Sequence, residues 1–389
     1  MTLEAKRKLL VVGFVVTLLY SLHFAIPLYV NSIMLGTMFS KAGVSIIIML
    51  AALSALFVTT HLGQTIKKYH NYKTTLMLLF VSIISTATIG LIDIPLLIAL
   101  FYILHFSCVA ALFIMVNLYI EEFTDVDEEG ATRGMFLTLL NTGILVAPLV
   151  AGGIVNTSGF MGVYIISSLC LIPVIFLMRK FYSHVREPKY LNVNYKLAIR
   201  EALMNKNIYG ALVALFALES FYVLMSVYSG IYIVETIGIP LPVYLGVIMP
   251  FALIPFVILP YGLGKLADIR TGEKEMMIAG LTMIGISTIF ISFITSQNPF
   301  TWAVVLFIAR FGSAMLEAMI FSYFFKRVDR TDVGLVALFG SIRTIAFIFV
   351  PLIGSLVFIF IDGLQTIFIF GGIAVLLSIM PVLKIRDTL

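Results

Sequence analysis

The feature that most constrains this chain is a succession of unbroken apolar runs about twenty residues long, of which Leu9 to Val30 is the first. Coiled as a helix, such a run crosses the roughly 30 Å hydrocarbon core of a bilayer. Lipid offers no hydrogen-bond partner, so each spanning segment must satisfy its own backbone, which only helices and closed barrels do. Barrel strands alternate apolar and polar residues, and these runs do not. Only 12% of residues are charged, against roughly a quarter in soluble domains, so water is not the main solvent. An all-α membrane protein is expected.

Hydrophobicity places spans near 9–30, 42–62, 74–92, 95–120, 135–155, 160–178, 208–233, 240–263, 276–295, 299–323, 335–359 and 365–383. With a cytoplasmic N-terminus, every Lys and Arg except Lys41, Arg310 and Arg343, 22 of 25, falls on the inner side. That asymmetry is the positive-inside signature. The net charge of +5 therefore reports topology, and no nucleic-acid partner is implied. Both termini are expected in the cytoplasm, in a membrane such as the prokaryotic inner membrane. Lys6, Arg7 and Lys8 precede an apolar run too long for a signal peptide and lacking a small-residue cleavage site, so it reads as the first helix. Cys108 and Cys170 lie within spans as packing residues, and neither a metal site nor a cofactor is expected.

The longest polar stretch, Arg179 to Lys206, carries seven basic residues. It divides the chain into a six-helix bundle over residues 1–178, a linker over 179–206 and a second six-helix bundle over 207–389. Within the linker, Leu197, Ile199 and Leu203 among Lys196, Arg200 and Lys206 fit either a short amphipathic helix on the inner leaflet or a solvated connection. Two similar halves suggest duplication. The loop after the second span begins at Gly63 and carries Lys67, Asn71 and Lys73; that after the eighth carries Gly264, Asp268, Arg270, Gly272 and Lys274.

The second loop resembles the signature G-x-x-x-D-x-R-x-G-x-K of the major facilitator superfamily. A glycine there permits close approach, the Asp can cap a neighbouring helix, the second glycine supplies a turn and the basic residues anchor at the leaflet. In the first copy Lys67 stands where Asp is expected, which removes the capping role, while Asn71 in place of glycine still tolerates positive φ. Gly143, Pro148, Gly152 and Gly153 in the fifth span resemble the glycine and proline pattern of drug and proton antiporters, displaced by one residue after the proline. Close packing and a kink would need the same residues. Glu129, Arg133 and Gly134 resemble the family's connection before that span. The resemblance implies the major facilitator fold: twelve transmembrane helices in two six-helix bundles, rocking to expose a cavity alternately to each side.

Ionisable groups inside a bilayer are costly unless paired or hydrated, so each is a functional candidate. They are His23, His105, Glu219, Arg310, Glu317 and Arg343. All but Arg343 fall on the first, fourth, seventh and tenth spans, the cavity-lining helices that the resemblance implies. Tyr20, Tyr102, Phe216 and Phe307 each stand three residues before one of these groups, and Tyr222 three after Glu219, on shared helix faces. A polar group beside a ring suits an amphipathic or aromatic solute. Rise along the helices puts Glu317 and Arg343 at similar depth, an expected structural ion pair. That leaves Glu219 as the proton-coupling carboxylate, with Arg310 at its depth; the alternatives are a static Glu219–Arg310 pair or a solute-binding Glu219. His23 and His105 are either ligands or neutral imidazoles bonded within the bundle.

The expectation is a monomeric secondary transporter, not an enzyme, that exports a small solute in exchange for protons. A uniporter or importer is the nearest alternative. An intramembrane enzyme would need a constellation such as a His23, His105 and Glu219 metal triad, and a receptor would need a signalling domain. No P-loop, HExxH or nucleophile elbow is present.

Overall fold

The structure is a computed structural model describing residues 3–124, 129–183, 195–259, 272–328, 332–361 and 363–386. The described residues contain no strand. Their contacts divide the chain into two compact units: residues 1–39 with 50–191, and residues 40–49 with 192–389.

The first unit is built from α1 (Leu3–Ala25), the short α2 (Asn31–Gly36), α3 (Lys41–Tyr69), α4 (Asn71–Leu91), α5 (Pro95–Glu122), α6 (Glu129–Leu169) and α7 (Ile172–Leu177). The opening residues of α3 belong to the second unit. Eleven helical stretches among the described residues are long and apolar enough to cross a membrane. One of them, Thr132–Tyr182, has 51 residues; as a single straight helix it would measure about 75 Å, more than twice the hydrocarbon thickness. The backbone leaves helical geometry at Gly159, where φ is +59°, a conformation that favours glycine. This residue separates the expected fifth and sixth spans, so twelve crossings are accommodated in eleven stretches.

The first loop motif departs from expectation. Helix α3 continues through Gly63 and Lys67 to Tyr69, and α4 starts at Asn71. The connection is therefore His70 alone, at φ +70°, and Asn71, expected to make the turn, is helical and buried. In the fifth span Gly143 marks a close crossing. A Cβ there would stand 2.1 Å from Ser21 Oγ of α1, and Ser21 Oγ donates to the Leu140 carbonyl at 2.7 Å. Packing thus accounts for Gly143, whereas a Cβ at Gly153 would meet nothing within 4 Å. Pro148 lies inside α6.

The second unit contains α8 (Tyr195–Met204), α9 (Lys206–Thr236), α10 (Leu241–Ile258), α11 (Gly272–Ile291), α12 (Pro299–Arg327), α13 (Val333–Phe360) and α14 (Gln365–Val382). Side-chain caps fix three of the starts. Asn205 accepts from the Asn207 and Ile208 amides, Asn298 from Phe300 and Asp332 from Leu335, relieving amides that a helix start leaves unpaired. Glycines let α11 approach two neighbours: a Cβ on Gly312 would lie 3.1 Å from the Gly280 carbonyl, and one on Gly372 2.7 Å from the Gly285 carbonyl. Small residues permit this in lipid, where association depends on close packing. Gly264, Asp268 and Arg270 lie outside the described residues; Gly272 opens α11 with φ +71°, and Lys274 follows in its first turn.

Candidate functional site

In the first unit, His23 of α1 and His105 of α5 meet edge to face, with ring centroids 5.1 Å apart. Both are buried. His23 Nδ1 lies 2.9 Å from the Ser167 carbonyl, which can only accept, so this nitrogen carries the hydrogen. Its Nε2 then accepts from Ser82 Oγ at 2.9 Å. Thr86 Oγ1 donates to the Ser82 carbonyl at 2.7 Å and thereby receives the hydrogen of His105 Nδ1, also at 2.7 Å. Ser167 Oγ closes the network by donating to the His23 carbonyl at 2.6 Å. The network joins α1, α4, α5 and α6 without a formal charge. Of the two readings of these histidines, the geometry fits imidazoles bonded within the bundle. Tyr20 turns away to donate to the Val109 carbonyl at 2.8 Å, and Tyr102 is buried.

The second unit holds charges instead. Glu219 of α9 and Arg310 of α12 are both buried, yet the expected pairing is not what forms. Arg343 Nε donates to Glu219 Oε2 at 2.9 Å, whereas Glu317 Oε2 accepts from the Tyr222 hydroxyl at 2.6 Å. Glu317 and Arg343 are therefore not an ion pair. The reason is packing: α9 contacts both α12 and α13, and its Glu219 and Tyr222, three residues apart on one face, each take a partner. Depth along an axis cannot reveal this, because it ignores which way a helix is turned. Nor is Glu219 paired with Arg310. The Arg310 guanidinium sits 5.4 Å from the Phe221 ring centroid, 5.6 Å from Tyr222 and 6.0 Å from Phe256, a cation–π setting. Two carboxylates and two guanidiniums thus lie within this unit.

The other aromatic residues expected at the site surround this cluster less closely. Phe216 contacts Phe349 edge to face at 6.4 Å, and Phe307 contacts Phe251 at 5.3 Å and Phe311 at 6.5 Å. Residues missed by the sequence reading are the hydroxyl partners Ser82, Thr86 and Ser167, together with Phe221 and Phe256. Hydroxyls and rings are frequent in the spans, so nothing local marks these few. Beyond the spans, Arg133 pairs with Glu121 of α5 at 3.1 Å. The side chain of Glu129 lies outside the described residues. No group of three or more His, Cys, Asp or Glu suited to a metal is found among the described residues.

Apolar spans enclosing a few buried polar and charged groups define a polytopic membrane protein. Residues 9–341 match the sequence profile of the Major Facilitator Superfamily, and the chain belongs to that family. No curated protein matches the sequence. Among solved structures, an auto-inhibited POT family peptide transporter is similar with TM-score 0.77, 12% identity and 98% of each chain covered. The POT family transporter PepTSo gives TM-score 0.74 at 13% identity over 97% of each chain. The xylose transporter XylE from E. coli, in a partially occluded inward-open conformation, gives 0.73 at 13% identity over 99% of each. At these identities the likeness shows the major facilitator fold, the expected architecture.

Proposed function

We propose that this transporter is a proton-coupled exporter of a small amphipathic solute, and that Glu317 carries the coupling proton. The observation that carries the reading is the partner of Glu317: a phenol hydroxyl and not a guanidinium. Protonating Glu219 would break its bond to Arg343, whereas Glu317 can take a proton without the loss of an ion pair. This transfers to Glu317 the role that sequence alone assigns to Glu219. Proton uptake would remove one negative charge from the cluster while the Glu219–Arg343 pair stays intact. A solute bearing a cationic group would compete with the proton for the same carboxylate, while Phe221, Tyr222 and Phe256 offer it apolar contact. Alternating access then gives exchange.

The proposal includes both termini in the cytoplasm, supported by the inward bias of Lys and Arg, and a monomer with bundles bounded near residues 178 and 207. The test is reconstitution in proteoliposomes with a panel of amphipathic cations, with and without an imposed pH step. Export coupling predicts accumulation that follows the pH gradient and collapses when a protonophore removes it. Flux indifferent to the gradient would select the uniporter instead.

A further inference from the structure

The linker contains an element that the transport site does not use. Helix α8 presents Ala198 and Ala202 to the body of the second unit, where both are buried. A Cβ on Gly334 at the start of α13 would stand 3.3 Å from the Ala198 Cβ, and the Ser341 and Tyr195 hydroxyls lie 3.5 Å apart. One residue, the N-cap Asn205, separates α8 from α9. The starts of two spans, Lys206–Thr236 and Gly334–Phe360, therefore hold α8 against one rim of the unit. Contact with Ser341, two turns into α13, keeps α8 beside the end of an apolar span.

The outer surface of α8 is mixed in a particular order. Tyr195, Ile199 and Leu203 recur every fourth residue along one ridge, and Lys196 and Arg200 form the ridge beside it. Leu203 is 64% exposed and Met204 75%. Lys206, Arg327 and Arg386 extend the positive charge along the same rim: the Arg386 amide donates to Asn207 Oδ1 at 2.9 Å, and Arg327 Nη2 donates to the Arg386 carbonyl at 2.7 Å. Large apolar side chains beside flexible cationic ones, at the end of an apolar span, match acyl chains below and phosphates above. We propose that α8 is a docking surface for anionic phospholipid, with Ile199 and Leu203 seated among the acyl chains and Lys196 and Arg200 on the headgroup phosphate.

Two measurements on the full chain in vesicles test this. A bimane attached at Leu203→Cys, with Cys108→Ala and Cys170→Ala, should be quenched by lipids brominated on the acyl chain and spared by aqueous iodide. Quenching by iodide alone would place the helix in water, and protection from both quenchers would mean that protein covers it; either result overturns the proposal. Separately, the preference for bound phosphatidylglycerol over phosphatidylcholine, read by native mass spectrometry, should fall about 10- to 30-fold in Lys196→Gln with Arg200→Gln, since each interfacial cation contributes roughly 1 kcal/mol. An unchanged preference would remove the headgroup site.

Discussion

The two units solve the problem of polar groups inside a membrane in opposite ways. The first brings His23 and His105 together and ties them through Ser82, Thr86 and Ser167 into a network with no net charge. Carbonyls fix the direction of the hydrogen bonds, and four helices are joined at once. The second places Glu219, Arg310, Glu317 and Arg343 near one another and leaves one carboxylate on a phenol. A neutral network loses little by staying fixed, whereas a charged cluster reorganises whenever a proton or a charged solute arrives. In the proposed function the first unit braces and the second exchanges charge.

The sharpest way to break that assignment is Glu317→Gln, which keeps the Tyr222 partner but cannot exchange a proton. Solute exchange down its own gradient should survive, and uphill movement driven by a pH step should be lost. Undiminished pH-driven accumulation would end the role of Glu317. The same assay on Glu219→Gln distinguishes the two carboxylates: coupling lost there and retained in Glu317→Gln would restore Glu219.

Stability measurements examine the ion pair next. Glu219 is 8% exposed, so Arg343→Ala strands a buried carboxylate and should cost about 3–5 kcal/mol. Glu219→Ala strands the Arg343 guanidinium within its own span and should also destabilise the unit, and the double variant should lose less than the sum of the two single losses. Strictly additive losses in detergent unfolding would contradict the pairing. In the first unit, His23→Ala should cost about 2–4 kcal/mol through lost packing and orphaned hydroxyls. Variant protein that still inserts should keep its dependence on the pH gradient; loss of coupling there would erase the division of labour.

Two smaller effects probe the backbone. Gly143→Ala should destabilise the first unit by about 1–3 kcal/mol, because the added methyl meets Ser21 and forces α1 from α6; a neutral result in thermal unfolding would show that this crossing has slack. His70→Gly should stabilise by about 1 kcal/mol, since His70 holds φ +70° and ψ +155°, a region that glycine occupies at little cost. In the second loop motif Gly272, the counterpart of Asn71, takes φ +71°. No gain in the His70 variant would mean that its side chain offsets the strain.

How far the site was legible follows from the kind of information each residue carries. The six ionisable residues could be found from their position in apolar runs, because the cost of a charge in lipid is local to the residue that bears it. Their partners could not. Arg343 and Glu317 share a depth, yet Arg343 bonds Glu219 because α13 lies along α9. Likewise Lys67 marks a loop that has lost its capping Asp, but nothing in the motif tells that α3 runs through it and that His70, not Asn71, makes the turn.

By itself, then, the sequence determined the all-helical membrane fold and the inventory of groups able to do chemistry. Both depend on short-range facts: backbone amides that lipid cannot satisfy, and charges that it will not solvate. Only the tertiary structure decided the break at Gly159, the edge-to-face contact of His23 with His105 and the exchange of partners between Glu219 and Glu317. Each of these depends on how a helix is rotated about its own axis and which neighbour it meets. Those quantities are set by close packing across residues far apart in the chain, here by small side chains such as Gly143, Gly280 and Gly312 that let particular faces touch.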